Sequence, residues 1–228
     1  MFKCMLNIND VLVNSFESAK LLNSGFYGCV YAHNEHTVLK TLKAESFDMQ
    51  QLELWTQADG SLMPAEILAM KWANSINSLV CSYKDHFEVE DIGYIIALER
   101  LYPMHPTAFS AEEIATAVAV AEQQLKELHS SGWAHGDIMR PYVVQIMSRH
   151  NPHEIFNNVL LTKQDNKCVL RLVDTGFSLV EQYLEDVFDD VGNVIFDSSI
   201  ELEECIQKDL EDWYVFKEWI LNYPRSLE

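Results

Sequence analysis

One long amphipathic helix near the middle of the chain limits the folds that this sequence can adopt. Ser110 precedes it and Glu113 stands three residues later, which is the pattern of a capping box. Apolar residues then recur every three or four positions in one stripe: Ile114, Ala117, Val118, Ala121, Leu125 and Leu128. Gly132 is placed to end the helix. The pattern predicts a helix that packs one face into a core and divides the chain into two halves.

The two halves differ in character. Before the helix, apolar runs at residues 21–30, 38–42 and 93–98 predict strands, a shorter helix is predicted at about 64–76, and the two prolines of residues 101–109 indicate a linker. After it, residues 159–162 and 168–173 predict a hairpin. The acidic segment 181–212 then leads into a second amphipathic helix, along which lie Leu210, Trp213, Phe216, Lys217 and Ile220. We therefore expect an α+β, two-lobed protein with a strand-rich lobe at residues 1–101 and a helix-led lobe at 102–228.

The charge balance limits the partners. Among 228 residues, 35 are acidic and 16 basic, a formal net charge of −19. Such a surface repels nucleic acid and anionic membranes, so we expect neither as a partner. A basic protein partner and simple solubility explain the charge equally well.

The cysteines and the apolar runs limit the compartment. The five cysteines are scattered without a CxxC pair, which argues against a zinc site and a disulfide framework. No apolar run reaches the roughly 18 residues of a membrane span, and the first residues make a poor signal peptide. We expect a reducing cytoplasm, which includes the cytoplasm of a host cell.

Two features of the first half could contact phosphate. Gly25 and Gly28 lie at a strand–turn–strand pattern, where glycine lets backbone N–H groups approach phosphate oxygens, although an ordinary hairpin would also explain them. Lys40 lies in an otherwise apolar strand, so its charge needs a partner. Glu66, on the following helix, is the candidate for that partner.

The second half brings polar residues to strand ends. His135-Gly136-Asp137 directly follows the long helix, Asn158 opens the predicted hairpin, and Asp174 follows its second strand. Oxygen ligands of this kind suit a hard cation such as Mg²⁺. A nearby carboxylate, that of Asp137, could accept a proton from an attacking hydroxyl.

Taken in order, these residues resemble the signatures of the protein-kinase superfamily over roughly residues 21–220. The resemblance implies a two-lobed kinase-like fold that binds ATP and Mg²⁺. In this family Gly25, Gly28 and Val30 would belong to the loop over the ATP phosphates. Lys40 would hold the α- and β-phosphates and pair with Glu66, which makes both part of the catalytic machinery.

The resemblance also implies an adenine site and an anchor for the catalytic loop. Leu98 would lie at the back of the adenine pocket, and the backbone of Glu99 and Leu101 would bind the adenine edge. Asp212 resembles the acidic residue that fixes the catalytic loop from a central helix, with Asp209 as a near alternative.

The catalytic and metal-binding roles fall on three residues. Asp137 would orient and deprotonate the acceptor hydroxyl, and Asn158 and Asp174 would hold Mg²⁺. The family pattern places the asparagine five residues after the aspartate, where this chain has Tyr142. Either an insertion of roughly 16 residues precedes Asn158, or the asparagine is lost. We favour the insertion, because Asn158 is followed by the strand expected next. His150 and His153 in the insertion could bind a metal, but a solvated loop is the better expectation.

Several departures indicate an atypical member. Asn23 stands where the first loop glycine is usual, Gly136 replaces the arginine between His135 and Asp137, and Thr175 gives Asp-Thr-Gly in place of Asp-Phe-Gly. His-Gly-Asp is similar to atypical kinases and aminoglycoside phosphotransferases. Few residues follow Asp212, as in the minimal kinases with a reduced C-lobe that some bacterial effectors, phages and viruses carry.

The sequence therefore leaves three functions open. The first is an ATP- and Mg²⁺-dependent protein kinase that phosphorylates serine or threonine hydroxyls, with a protein substrate or a regulatory protein partner. The second is a small-molecule phosphotransferase, supported by His-Gly-Asp. The third is a pseudokinase that binds or inhibits a partner through its acidic surface.

Overall fold

The computed structural model describes residues 19–24, 28–42, 54–89, 93–139, 158–185, 187–188 and 194–223. Its largest sheet has five antiparallel strands, in the order β1-β2-β3-β7-β6. These are β1 (Lys20–Ser24), β2 (Gly28–Ala32), β3 (Thr37–Leu42), β6 (Tyr83–Val89) and β7 (Gly93–Glu99). The strands predicted at 38–42 and 93–98 are confirmed, and the described residues of the run 21–30, which are 21–24 and 28–30, also lie in strands.

The sheet buries one face around a small apolar cluster. Leu39 of β3, Val89 of β6, and Ile95 and Ala97 of β7 are buried together, with Phe87 packed against them. The β-branched and aromatic residues of these strands favour such a pleated, half-buried surface. A short hairpin of β4 (Leu54–Thr56) and β5 (Leu62–Pro64) then leads directly into helix α1 (Ala65–Ile76).

The long central helix, α2 (Ala111–Ser130), is confirmed with its predicted cap. Ser110 Oγ accepts the N–H of Glu113, and the Glu113 carboxylate accepts the N–H of Ser110. The six residues of the predicted stripe are all buried. Gly132, with φ of +76°, follows the end of the helix as predicted.

The predicted hairpin is confirmed as β9 (Val159–Gln164) and β10 (Lys167–Leu172). Asp165 and Asn166 form its two-residue turn with φ of 49° and 62°, left-handed values that these two residue types tolerate best after glycine. Two short strands, β8 (Trp133–Ala134) before the hairpin in sequence and β11 (Leu179–Val180) after it, pair with each other.

The last helix is longer than the sequence predicts. It follows the paired strands β12 (Val187–Phe188) and β13 (Val194–Phe196), and α3 spans Ser198–Leu221. Asp197 caps it by accepting the N–H groups of Ser199 and Ile200, so it begins inside the acidic segment. Leu210 is 39% exposed, whereas Trp213, Phe216 and Ile220 on the same helix are buried.

The chain divides into two compact units. One contains Met1–Ile67 with Ser82–Arg100 and the other Leu68–Cys81 with Leu101–Glu228. The first holds the five-stranded sheet, and the second holds α2, α3 and the β9–β10 hairpin. The division at residue 101 that the sequence suggests remains a prediction.

Candidate functional site

The glycine-containing turn lies only partly within the described residues. Gly25 is outside them, whereas Gly28 begins β2 and pairs with Leu42 of β3. A Cβ atom at Gly28 would overlap the carbonyl oxygen of Thr41, so close strand packing by itself requires glycine here. Val30, half-buried on β2, lies opposite Lys40.

Lys40 and Glu66 form a buried ion pair. Lys40 Nζ lies 2.5 Å from Glu66 Oε1, and the two side chains are 8% and 6% exposed. Burial would strongly disfavour either charge alone, and the pair satisfies both. The strand β3 and the first turn of α1 thus hold one ammonium group in a fixed position. Its role toward phosphate remains a prediction.

The residues predicted to bind adenine lie at the end of β7 and just after it. Leu98 is buried, and the Glu99 N–H donates to the Ser82 carbonyl at 2.8 Å. In return, Ser82 donates its N–H and its hydroxyl to the Glu99 carboxylate, at 3.3 and 3.0 Å. In a regular antiparallel ladder the Ser82 N–H would donate to the Glu99 carbonyl oxygen. Here it donates to the Glu99 carboxylate instead. Leu101 is half-buried in the other unit.

In the second unit, His135 fixes the backbone around Asp137. The fully buried imidazole lies with Nε2 3.1 Å from the Val173 carbonyl oxygen, while Nδ1 accepts the Asp137 N–H at 3.2 Å. These partners require the tautomer with its proton on Nε2. Through these two hydrogen bonds, His135 links the segment that follows β8 to the segment that follows β10 and leads to Asp174.

Asn158 lies directly against Asp137. Its Nδ2 donates to the Asp137 carbonyl at 2.6 Å and to the Asp137 carboxylate at 3.0 Å. The Asn158 carbonyl in turn accepts the N–H of Val173, the residue before Asp174. The choice of Asn158 over Tyr142 as the metal ligand remains a prediction. Tyr142 lies outside the described residues, as do the insertion's His150 and His153.

Asp174 has a backbone conformation that is rare for a residue with a side chain. Its φ is 63°, in the left-handed region where aspartate and asparagine occur more often than other non-glycine residues. Such strain persists only where the surroundings impose it, and it concentrates at functional sites. Thr175 next to it is buried.

Both candidates for the acidic anchor bond this loop, and Asp209, the alternative that the sequence leaves open, is the one that bonds the backbone next to Asp137. Asp209 is fully buried and accepts the N–H groups of His135 at 2.6 Å and Gly136 at 2.9 Å. Its Oδ2 also lies 3.2 Å from His129 Nε2. Asp212, one turn later, accepts the Met139 N–H at 3.2 Å.

The environment of Asp212 differs from that of Asp209. Burial raises the pKa of the Asp212 carboxyl group, and the ion pair with Lys208 at 2.7 Å partly offsets this rise.

A further contact that the sequence did not indicate is made by Ser178, whose hydroxyl donates to the His135 carbonyl at 3.3 Å.

Gly136 occupies a position that only glycine fits well. Its φ is 78°, and a Cβ atom would lie 2.6 Å from the Phe177 carbonyl oxygen and 3.2 Å from Cys205 Sγ. The backbone conformation disfavours any L side chain, and the first contact involves backbone that cannot rotate away. The departure from the family arginine is therefore built into this local structure.

We expect Gly136→Ala to lower the free energy of unfolding by about 2 to 5 kcal/mol, from the left-handed backbone and the overlap together. Gly60 is a matched control, since its φ is 80° and a Cβ there meets nothing within 4 Å. Gly60→Ala should cost only about 1 kcal/mol. Urea denaturation of both variants measures the difference, and equal losses would contradict the steric argument.

Comparisons with known proteins bear on the fold. No family model matches the sequence, and no curated protein matches it. Among solved structures, the chain matches the Cydia pomonella granulovirus kinase PK-1 over 95% of its own length and 73% of that chain, with a TM-score of 0.51 and 10% identity. The chain has a protein-kinase-like fold. It has a strand-rich N-lobe and a reduced helical C-lobe, and the likeness to the granulovirus kinase is one of fold alone.

Two kinds of feature are absent from the described residues. No helix there is both long and apolar enough to cross a membrane. No group of three or more histidine, cysteine, aspartate or glutamate side chains there is arranged to hold a metal ion. A kinase-type magnesium site needs fewer protein ligands, because the phosphates of ATP supply the others.

Proposed function

We propose that this protein is an ATP- and Mg²⁺-dependent protein kinase that transfers the γ-phosphoryl group to serine or threonine hydroxyls. The observation that carries the proposal is the contact of Asn158 with Asp137, at 2.6 and 3.0 Å. A candidate metal ligand and a candidate base are held together although a long segment separates them in sequence. Phosphoryl transfer depends mainly on such positioning and on charge neutralisation.

The donor atoms fit a magnesium ion. The Asn158 amide nitrogen bonds Asp137, so the amide oxygen is the atom that would bind the cation, together with the Asp174 carboxylate. When bound, Mg²⁺ would neutralise phosphate charge. The Lys40 ammonium, held by Glu66, would supply a second positive charge toward the α- and β-phosphates.

The remaining roles concern adenine and the acceptor. The adenine ring would be held by Leu98, Glu99 and Leu101. The Glu99 carbonyl oxygen would accept a hydrogen bond from adenine, because Ser82 donates to the Glu99 carboxylate and not to this carbonyl. Asp137 would accept the proton of the attacking hydroxyl. The net charge of −19 favours a basic protein as substrate or regulator. We also propose a cytoplasmic location, in the source cell or in a host.

A non-catalytic binding protein is the second candidate. The exposed acidic residues of α3 favour it, because they suit partner binding whether or not phosphate is transferred. A small-molecule phosphotransferase would instead phosphorylate a hydroxylated or aminated compound without any protein acceptor.

The test is transfer of labelled γ-phosphate from Mg-ATP to the protein itself, to basic protein acceptors and to aminoglycosides. We expect labelling of protein, and Lys40→Ala should lower it roughly a hundredfold or more by removing a preorganised positive charge. Lys163→Ala, at an exposed lysine, is the matched control and should transfer normally.

Folding must be separated from transfer in this test, because Lys40→Ala leaves Glu66 buried and unpaired. The double variant Lys40→Ala/Glu66→Gln removes the uncompensated carboxylate and should stay folded by circular dichroism. Labelling by the wild type that persists in this variant would contradict the role of Lys40. If the folded wild type labels no acceptor, the result favours the non-catalytic binding protein. If it labels aminoglycosides alone, the result favours the small-molecule phosphotransferase.

A further inference from the structure

Helix α3 exposes several apolar side chains on its solvent side, where a surface helix usually carries polar residues. Ile200, Leu210 and Tyr214 are 53%, 39% and 63% exposed. At 100° per residue they fall within about 80° around the helix axis, so they share one face with the exposed Glu203 and Gln207. We call these five residues the outer face. Its opposite side is buried, with Trp213, Phe216 and Ile220 in the core, and cannot turn outward.

A small pocket opens beside this face, between α2 and α3. Its volume is about 140 Å³ and its apolar lining consists of Leu125, Leu210, Trp213 and Tyr214. A cavity of about 150 Å³ accommodates benzene, so this pocket has room for one apolar side chain. The Trp213 Nε1 is buried and has no hydrogen-bond partner among the described residues, which is unusual for an indole N–H.

The other side of the outer face carries an acidic border, made of the exposed residues Glu204, Glu211 and Glu218. The lysines near the helix are paired with carboxylates. Lys208 pairs with Asp212 at 2.7 Å, and Lys126 and Lys217, which line the pocket, both pair with Glu122, which also lines it, at 3.1 and 2.7 Å. The border therefore presents negative charge to anything that covers the apolar residues.

We propose that the outer face, the pocket and the acidic border form a docking surface for a basic amphipathic helix of another protein. One apolar side chain of that helix enters the pocket as an anchor, and its lysines or arginines face the acidic border. The charge complementarity selects a basic partner over a second copy of this chain, which carries the same negative charge. The proposal goes beyond the proposed kinase activity and does not depend on it.

The direct test measures binding of a fluorescent synthetic helical peptide, with leucine on one face and lysine beside it, to the whole chain by anisotropy. We expect saturable binding that weakens with salt, and no binding of the same peptide with glutamate in place of lysine. Two variants should each weaken binding at least about tenfold: Leu210→Ser/Tyr214→Ser, and the triple change of Glu204, Glu211 and Glu218 to lysine.

Matched controls separate this surface from the overall charge. The triple change of Glu35, Glu88 and Glu112 to lysine alters the net charge equally at exposed positions elsewhere, and Leu62→Ser/Val120→Ser removes two other exposed apolar side chains. Both controls should bind the peptide within about twofold of the wild type, as expected for positions outside a contact surface.

Three outcomes would overturn the proposal. Equal weakening by the control charge variant would mean that the peptide reads only the net charge. Unchanged peptide binding by both surface variants would show that these residues do not form the docking surface. Sedimentation that shows a dimer of the wild type, lost in Leu210→Ser/Tyr214→Ser, together with no peptide binding, would make a second copy the occupant.

Discussion

Asp174→Ala is expected to lower the rate of phosphoryl transfer at least about a thousandfold. A magnesium ion stabilises transition-state charge by several kcal/mol, and each ~1.36 kcal/mol corresponds to a tenfold change in rate. Under the proposed function, the variant loses the carboxylate that would hold this ion. The measurement is transfer of labelled γ-phosphate over a range of Mg²⁺ concentrations, with circular dichroism to confirm folding.

The backbone at Asp174 calls for a second variant. Because its φ is 63°, alanine there adds strain, whereas asparagine tolerates the left-handed region and removes only the charge. Asp174→Asn should therefore fold like the wild type and still lose transfer. Asn158→Ala should also lower transfer, while Tyr142→Phe should not. Full activity of Asp174→Asn would contradict the metal-ligand assignment, and a loss confined to the Tyr142 variant would contradict the choice of Asn158.

Local rules explain the parts of the fold that the sequence predicts. The capping box of Ser110 and Glu113 and the apolar stripe after it depend only on residues within a few turns of each other, and both are present. The same holds for the β9–β10 hairpin, where Asp165 and Asn166 supply the left-handed turn. The strand after Asn158 is a local signal too and is present as β9, while the metal-binding role of Asn158 remains a prediction.

Such rules could not decide which carboxylate, that of Asp209 or that of Asp212, bonds the backbone at His135 and Gly136. Asp209 and Asp212 lie one turn apart on the same helix, and the side of the helix that faces the loop is set by tertiary packing. One signal was present, since Asp209 precedes Trp213 and Phe216 by four and seven residues and so continues their buried stripe. A carboxylate on a buried stripe needs donors, and here they come from residues more than 70 positions away.

Glycine at position 136 illustrates the same limit. The sequence marks it as a departure from the family arginine, but only the structure gives the reason, which is the carbonyl of Phe177 at 2.6 Å from a Cβ atom. The roles of the site residues toward ATP and Mg²⁺ remain predictions, since they concern groups that the chain would bind.

Asp209→Ala is expected to lower the free energy of unfolding by about 3 to 5 kcal/mol, because it leaves buried polar groups without hydrogen-bond partners. The N–H groups of His135 and Gly136 would lose their acceptor, and each unsatisfied buried donor costs about 1–3 kcal/mol. His129 would lose its partner as well. Urea denaturation measures the loss. Hydrogen exchange at His135 and Gly136 should accelerate more than exchange in the first unit.

Asp209→Asn is the matched variant that keeps one acceptor oxygen in the same volume. It should restore the hydrogen bond to one of the two amides and recover part of the stability, whereas Asp212→Ala should leave exchange at both amides unchanged, because Asp212 bonds Met139 instead. Under the proposed function, transfer should fall in Asp209→Ala even at temperatures where the variant is folded, since Asp137 adjoins the released backbone. Wild-type stability of Asp209→Ala, or acceleration of the same amides by Asp212→Ala, would show that Asp209 does not hold this loop.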